Sequence, residues 1–299
     1  MPIFPFMQVD AFTDIPLSGN PCAILFDTGE LEDGAMLAIA REMNLSETAF
    51  VRPSEQADFG VRYFTPAEEI PLAGHPTIAT CYALVDSGRL RLDGEHTQLT
   101  LELKVGPIPI DIYAKNGKVE RVVMTQKKPE FLKKYPAEEV MPVFGLRAED
   151  ARKEAPIQTV STGTPQLMVP VKDLAALRKA RLNIPAYEAL RSQADFFSPH
   201  LFCLEGVTQA GSTFARHFGT PPDLLEDPFT GSASGGMGAY LWHYGLIDQP
   251  CFTAEQGHWL NRPGTGFVEV TGPPEDIESV RVGGSAVTVL RGEFLLQSR

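Results

Sequence analysis

One acidic residue lies where its carboxyl group could transfer protons. The segment from Leu45 to Val51 has the residue types of a β-strand, and alternation places Glu47 on the same face as Leu45, Ala49 and Val51. If that face is buried, loss of hydration would raise the carboxyl pKa toward neutrality, which suits a general acid or base. The alternative is a strand end in contact with water, where Glu47 is solvated or paired with a cation.

Two further residues could take part in the same chemistry, because each lies close to a predicted helix start. A helix N-terminus favours a neutral imidazole at His75, which could then donate or accept a hydrogen bond. Asp227 is a candidate catalytic carboxylate just before the second helix start. Simpler roles remain open for both: a capping or packed ring for His75, and a turn carboxylate that accepts backbone N–H groups for Asp227.

The two helix starts could themselves bind an anion. The first begins around Gly74 and the second around Gly231 and Ser232. The first turn of a helix carries backbone N–H groups without helical partners and the positive end of the helix dipole. Two such ends facing one another would bind a small carboxylate or a developing oxyanion. The alternative is that both ends are only capped and packed.

An internal repeat positions these residues. The segment from Arg62 to Pro66 resembles the segment from Arg216 to Pro221, and each is followed by an acid, a proline, a glycine and small residues. Four pairs of identical residues occur at one constant offset: Glu69 and Glu226, Pro71 and Pro228, Gly74 and Gly231, Gly88 and Gly245. The chain is therefore predicted to use one structural plan twice.

Each copy of the repeat predicts a helix. In the first copy Pro76 suits a first turn and Gly88 a left-handed C-terminus, so the helix should span about 75 to 87. In the second, Ser232 is the predicted cap and Gly245 marks the end. This second helix contains four poor helix formers: Ser234, Gly235, Gly236 and Gly238. Their presence predicts close packing of its backbone against a sheet.

The remaining chain alternates β-prone stretches with a few helices. Strands are predicted at 61–65, 99–105, 107–113, 119–125, 166–171, 266–270 and 286–290. Helices are predicted at 33–43 and 174–180, and Asn116-Gly117 predicts a turn. We therefore expect an α+β protein of two domains with a boundary near residue 125. Each domain should be a mostly antiparallel sheet around a central helix.

Composition excludes several classes of protein. Among 299 residues, 43% are hydrophobic and 21% are charged, which is typical of a folded globular protein. A net charge of −12 disfavours nucleic acid and anionic membranes as partners. No apolar run has the length of a membrane span, and the N-terminus lacks the features of a signal peptide. We therefore expect a cytoplasmic protein whose four scattered cysteines are reduced.

Common cofactor and nucleophile motifs are missing from the sequence. It contains neither the phosphate-binding loop of nucleotide hydrolases nor the glycine fingerprint of dinucleotide-binding proteins. Gly231 to Gly235 misses the G-x-S-x-G nucleophile motif by one position. The six histidines show no metal-ligand spacing. We predict a site without a metal or a cofactor.

Five ordered motifs resemble those of the phenazine-biosynthesis PhzF-like proteins. They are Val9-Asp10-Ala11-Phe12-Thr13 with Ser18-Gly19-Asn20-Pro21, Asn44-Leu45-Ser46-Glu47-Thr48-Ala49-Phe50, Phe64-Thr65-Pro66, Gly74-His75-Pro76-Thr77, and Asp227-Pro228-Phe229-Thr230-Gly231-Ser232-Ala233. The resemblance extends over nearly the whole chain and is least clear at about 126 to 200. It implies a diaminopimelate-epimerase-like fold, which agrees with the internal repeat.

The resemblance also implies a domain organisation and an activity. The first domain would comprise 1–125 plus 282–299 and the second 126–281, with the active site between them and usually a homodimer. The family's founding enzyme is a cofactor-independent isomerase that moves a proton around the ring of a dihydro-hydroxyanthranilate. The substrate class that the resemblance implies here is a small-molecule carboxylate, either cyclic or an amino acid. Phenazine synthesis is only one pathway served by such proteins.

Roles for individual residues follow from the same resemblance. Glu47 would shuttle the proton, while His75 and Asp227 would orient substrate groups. Gly74, Gly231 and Ser232 would supply helix-end donors, and Asn20 and Ser46, which lie in matched motifs, are taken as further substrate-binding residues.

Three other functions remain open. Racemases and epimerases of this fold carry a thiol directly before the glycine at each helix start, where this chain has Ala73 and Thr230, so a two-thiol mechanism is disfavoured. A hydrolase that uses Ser232 as nucleophile would need a neighbouring base. A binding protein that has lost turnover is the third alternative.

Overall fold

A computed structural model describes residues 2–296 and divides into two compact units. The first consists of the chain up to Thr125, Pro222–Leu224 and the chain from Gly283 onward. The second consists of Gln126–Pro221 and Leu225–Val282. None of the helices within residues 2–296 combines the length and apolar character needed to cross a membrane.

The first part of the chain forms eight strands and two helices. The strands are β1 (Ile3–Ala11), β2 (Asn20–Leu25), β3 (Glu47–Arg52), β4 (Phe59–Phe64), β5 (Glu69–Ile70), β6 (His96–Leu103), β7 (Gly106–Lys115) and β8 (Lys118–Gln126). The helices are α1 (Asp33–Met43) and α2 (Gly74–Asp86).

The second part of the chain adds nine strands and four helices, and a last strand follows. The strands are β9 (Glu130–Tyr135), β10 (Ile157–Ser161), β11 (Pro165–Pro170), β12 (Ser198–Cys203), β13 (Thr213–Phe218), β14 (Glu226–Asp227), β15 (Cys251–Gln256), β16 (Gly264–Thr271), β17 (Ser279–Gly284) and the last, β18 (Ala286–Leu295). The helices are α3 (Ala137–Val140), α4 (Leu174–Lys179), α5 (Ile184–Arg191) and α6 (Gly231–His243).

The sheet of the first unit surrounds α2. Its strands pair in the order β18, β1, β2, β3, β4, β6, β7, β8, and β5 lies beside β4. Only the β2–β3 and β4–β6 pairs of this series are parallel. Helix α2 is buried along most of its length and packs on β1, β2, β3 and β18.

The second unit repeats this plan. Its strands pair in the order β9, β10, β11, β12, β13, β15, β16, with β14 beside β13, and the parallel pairs are β11–β12 and β13–β15. Parallel and antiparallel pairs follow one another here in the same order as from β18 to β7 in the first unit. Helix α6 packs on β10, β11 and β16. The predicted fold class, two pseudo-symmetric α+β units each with a mostly antiparallel sheet around a central helix, is confirmed.

Local sequence explains why these elements form. Alternate residues of β6, from Thr97 to Leu103, are buried while their neighbours are more exposed, as expected of a strand with one face on the core. Helix α1 spans the predicted residues and buries Met36, Ile39 and Ala40 on one face. The Asn116-Gly117 turn links β7 to β8, and both residues have positive φ, as such tight hairpins require.

Of two predictions about the helices of the repeat, one is confirmed and the other is wrong. Gly88 and Gly245 follow α2 and α6 with φ values of +75° and +63°, as predicted. Ser232, however, does not cap α6: the N-cap residue is Thr230, and Ser232 lies inside the first turn. Both residue types favour caps, and only the observed start of the helix at Gly231 decides between them.

The glycines of α6 permit close packing, as the sequence predicts. A Cβ atom at Gly238 would lie 2.5 Å from Cγ1 of Val268 on β16, and one at Gly235 would lie 2.0 Å from the Gln126 side chain. Real Cβ atoms do not approach other atoms so closely. The cost of glycine in this helix is therefore offset by contact of its backbone with neighbouring residues.

A glycine pair tests this packing. Gly238→Ala should lower the free energy of unfolding by roughly 1–3 kcal/mol, because overpacking exceeds the gain in helix propensity. The control, Gly34→Ala in α1, has nothing within 4 Å of the added Cβ and should raise it by about 0.5–1 kcal/mol. Urea unfolding measures both. A Gly238→Ala protein at least as stable as wild type would contradict the packing account.

Candidate active site

Glu47 is the first residue of β3 and is largely sheltered from water. Asn44, in the left-handed conformation, ends α1, and Leu45 and Ser46 form a bend, so the strand begins two residues later than predicted. The strand is buried from Thr48 to Val51, and the Glu47 side chain at its end is 17% exposed. The carboxyl group is thus neither in bulk solvent nor sealed in the core.

His75 faces this carboxyl group from the first turn of α2. Its ring is 3% exposed, and its Nε2 lies 3.3 Å from Oε2 of Glu47. Asn20, at the start of β2, holds the other side of the ring, with its Nδ2 3.0 Å from Nδ1. The structure therefore brings together three residues that the sequence analysis selected: Asn20, Glu47 and His75.

The remaining candidates of the first unit adjoin this group along the chain. Ser46 is buried and directly precedes Glu47, and Gly74 is the first residue of α2. Asp227, Gly231 and Ser232 belong to the second unit.

Burial keeps the imidazole neutral. Loss of solvation lowers the pKa of His75 to about 3, and a hydrogen bond with the Pro21 backbone offsets this only in part. A neutral ring has one donor and one acceptor nitrogen. Pro21 has no backbone N–H group and can only accept, so the neutral ring donates its proton to that carbonyl group and carries no charge beside Glu47. Nε2 of His75 and Oε2 of Glu47 are close, but the geometry between them is not that of a hydrogen bond.

Cys22, beside Glu47, and two other buried ionisable groups of the first unit stay protonated. Cys22 is opposite Glu47 in the β2–β3 ladder, and burial, together with the charge of Glu47, raises the pKa of its thiol well above the usual value. Burial likewise raises the pKa values of Tyr63 and Cys81. These thiol and phenol groups are therefore unsuited to proton exchange near neutral pH, whereas a carboxyl group in partial contact with water is suited to it.

In the second unit, Asp227 is held by a hydroxyl group. It ends the short strand β14 and pairs with His217 across the ladder. Oγ1 of Thr230, the residue before α6, donates a hydrogen bond to Oδ2 of Asp227 over 2.5 Å. Sequence reasoning treated Thr230 only as the position of a missing thiol and did not identify this contact.

The N-cap residues of α2 and α6 do not cap their helices through their side chains. These residues are Ala73 and Thr230, and neither side chain accepts a hydrogen bond from the helix start within the described chain. Thr77 and Ser234 direct their hydroxyl groups to the carbonyl groups of Ala73 and Thr230 instead.

A second buried histidine cluster lies in the second unit. Ser198 Oγ is 2.8 Å from Nε2 of His217, and the Nδ1 atoms of His200 and His217 are 3.3 Å apart. Burial lowers the pKa of His217 to about 3 and that of His200 well below its usual value, so both rings are neutral. Sequence reasoning did not identify this cluster, because it depends on the register of β12 with β13.

Within residues 2–296, no group of three or more His, Cys, Asp or Glu side chains is placed to hold a metal ion. The chemistry that the geometry supports directly is proton transfer by Glu47 beside a neutral imidazole.

Comparison with known proteins identifies a family and a relative that match nearly the whole chain. Residues 9–292 match the family described as phenazine biosynthesis-like protein. The chain is 33% identical over 297 residues to the trans-2,3-dihydro-3-hydroxyanthranilate isomerase of Pseudomonas fluorescens, an alignment that covers 97% of this chain and 99% of the relative.

Solved structures show the same similarity. The crystal structure of a Bacillus anthracis phenazine biosynthesis protein of the PhzF family superposes with a TM-score of 0.88 at 35% identity, covering 99% of this chain and 100% of that one. A hydroxyproline epimerase from Agrobacterium vitis has a TM-score of 0.69 at 11% identity, covering 97% and 92% of the two chains. The second similarity shows a shared fold alone.

The neutral state of His75 has a measurable consequence. Its pKa is about 3 in the folded protein and near 6.5 in the unfolded chain, so the unfolded chain binds more protons between these values. Wild type should therefore lose stability relative to His75→Asn as the pH falls, by roughly 2–3 kcal/mol between about pH 7 and pH 4.5. Urea unfolding at both pH values measures the difference.

An exposed histidine provides the control for this measurement. His96 is 46% exposed and lies 2.8 Å from Asp111 on the surface. Wild type should therefore not lose stability relative to His96→Asn as the pH falls. Equal pH dependence of wild type and His75→Asn would show that His75 is not kept neutral by burial.

Proposed function

This chain belongs to the phenazine biosynthesis-like protein family and is an isomerase, and we propose that it moves a proton within a small carboxylic acid by means of Glu47. The observation that supports this most directly is the contact between the sheltered Glu47 carboxyl group and the neutral ring of His75, 3.3 Å apart. Such a carboxyl group can take a proton from carbon, hold it and return it to another carbon.

The neutral ring is important for that role. An imidazolium ion beside Glu47 would stabilise the carboxylate strongly and reduce its basicity. A neutral ring, oriented by Asn20, lies beside the carboxylate at lower cost to that basicity. Acid–base catalysis by one such group typically accelerates a reaction by about 10²–10⁴-fold.

The helix starts would supply further stabilisation. Removal of a proton next to a carboxylate produces an enolate-like or dienolate-like state, whose negative charge grows on oxygen. In our proposal, N–H groups at Gly74, Gly231 and Ser232 bind this charge. Asp227 would hold an amino or hydroxyl group of the substrate, and Asn20 and Ser46 complete the binding set.

The substrate class follows from these groups. Helix-end donors suit a carboxylate, and an acidic side chain suits an amino or hydroxyl group. The Pseudomonas fluorescens relative is named for trans-2,3-dihydro-3-hydroxyanthranilate, which has all three groups on a ring. We propose a substrate of this kind, a cyclic or amino carboxylic acid, without assigning a pathway. A homodimer, a cytoplasmic location and a reaction without a cofactor also remain predictions.

Two alternative mechanisms lack their essential groups. A serine nucleophile would need a general base beside Ser232, and Asp227, the acid nearest to it in sequence, accepts a hydrogen bond from Thr230. Ala73 and Thr230 cannot act as the paired thiols of a racemase, and the Thr230 hydroxyl group is bonded to Asp227. The geometry therefore favours one carboxyl group as the proton carrier.

Substitution of the carboxyl group tests the proposal. Glu47→Gln keeps the size of the side chain but cannot accept the proton, so kcat/KM for the isomerised acid should fall by about 10²–10⁴-fold. The matched control is Glu102→Gln, which changes a partly buried carboxyl group bonded to Ser54 in the same unit. That variant should keep activity within a few fold. A folded Glu47→Gln enzyme with wild-type activity would exclude Glu47 as the carrier.

Solvent exchange tests the reaction class. Wild type incubated in D₂O with dihydro-hydroxyanthranilate and a panel of amino and hydroxy acids should give an isomerised product with deuterium at the carbon that receives the proton. NMR identifies this carbon. Binding of these acids with neither isomerisation nor deuterium incorporation would contradict proton transfer and support a binding role alone.

A further inference from the structure

The strand ladders of the two units can be compared residue by residue. Tyr63 is opposite Ile70 in the first unit, and His217 is opposite Asp227 at the matching place in the second. In the parallel pairs, Gly60 is opposite Glu102 and Phe214 is opposite Glu255. Both glutamates accept a hydroxyl hydrogen bond from a loop residue, Ser54 or Thr208, which confirms this register.

Three positions near Asp227 differ between the units in the same way. Ile70 corresponds to Asp227, and Ala73, before α2, corresponds to Thr230, before α6. Leu103, which follows Glu102, corresponds to Gln256, which follows Glu255. The first unit is apolar at all three positions, and the second is polar at all three.

The three polar residues form one hydrogen-bonded set. Thr230 Oγ1 donates to Oδ2 of Asp227. Gln256 Nε2 lies 2.7 Å from the backbone oxygen of Asp227 and 3.2 Å from Oγ1 of Thr230, while its Oε1 accepts from the backbone N–H of Thr230 at 3.1 Å. Gln256 is only 1% exposed.

These contacts determine where the hydroxyl proton goes. Because the Gln256 carbonyl oxygen is used by the Thr230 N–H group, its amide nitrogen must face the two oxygens. The amide donates to Oγ1, so the single proton of the Thr230 hydroxyl group is left for the Asp227 carboxylate. Gln256 thus orients the Thr230 hydroxyl group, and this hydroxyl group in turn orients the Asp227 carboxylate.

The fold does not require this arrangement. At the matching places of the first unit, Leu103 and Ala73 are buried and the same helix start and strand pair form. Burial of an amide group is costly unless its hydrogen bonds are satisfied, so an apolar residue would be the simpler choice for packing alone. The polar set is therefore explained by what it does to Asp227.

We propose that Thr230 and Gln256 are positioning residues that orient the Asp227 carboxylate toward an amino or hydroxyl group of the substrate. The inference rests on the role proposed above for Asp227. Neither residue needs to touch the substrate, since both act through the carboxylate.

Kinetics of variants test the proposal. Thr230→Val removes the donor and keeps the shape, and Gln256→Leu introduces the residue found in the first unit; each should lower kcat/KM by about 10–100-fold. Thr230→Ser restores the hydroxyl group and should stay within threefold of wild type. The control, Gln166→Leu, removes another buried amide of the second unit, bonded to Ser198, and should also stay close to wild type.

A double variant separates positioning from a general structural effect. If Thr230 acts only through Asp227, Thr230→Val should add nothing to the loss caused by Asp227→Asn. Losses that multiply, or a folded Thr230→Val enzyme with wild-type activity, would overturn the proposal.

An NMR measurement keeps this test distinct from the test of function. With carbon-13 in the aspartate carboxyl groups, the pH at which Asp227 titrates should rise in Thr230→Val and Gln256→Leu and stay unchanged in Thr230→Ser and Gln166→Leu. This NMR result does not depend on a known substrate that the enzyme converts. Unchanged titration in all four variants would refute positioning, whereas absence of turnover in wild type would refute only the proposed function.

Discussion

A carboxyl group that carries a proton must be sheltered enough to hold it and accessible enough to exchange it. Glu47 meets this requirement because it lies at the end of a buried strand and retains slight exposure. The neutral ring of His75 completes the condition, since it is close to the carboxyl group without adding a positive charge. The rest of the first unit can be understood as the support for this contact.

The fold provides that support through elements that are distant in sequence. The parallel pair β2–β3 places Asn20 and Glu47 at the same edge of the sheet, and α2 brings His75 to that edge. The helix start also contributes aligned N–H groups, which favour a neutral ring and an anionic ligand. The second unit uses the same plan with different residues: a carboxylate held by a hydroxyl and an amide. Duplication thus gives two similar supports that carry different polar side chains.

Much of this architecture could be predicted from local sequence. Helix α1, the ends of α2 and α6 and the Asn116-Gly117 turn depend on apolar periodicity and on residues that accept positive φ, which are visible in short segments. The internal repeat identified the pair of helix starts. Strand alternation and the two helix starts indicated Glu47, His75 and Asp227 as candidates, and the resemblance to a known family implied a role for each.

Other features depend on register, and the sequence alone could not supply it. Asn20 and His75 are 55 residues apart, and their contact needs the correct alignment of β2 with α2. The Ser198, His200 and His217 cluster and the role of Gln256 likewise depend on which strands pair and at which residue. Ser232 was a plausible helix cap, but the exact start of α6 gave that position to Thr230.

The central claim is that a neutral imidazole faces the Glu47 carboxyl group in the resting enzyme. Nitrogen-15 NMR of the histidine rings measures this directly, because the two ring nitrogens have different shifts in the neutral and charged forms. The account predicts that the His75 ring stays neutral from about pH 8 down to about pH 5. A His75 ring that gains a proton near its ordinary pKa of 6.5 would contradict the account.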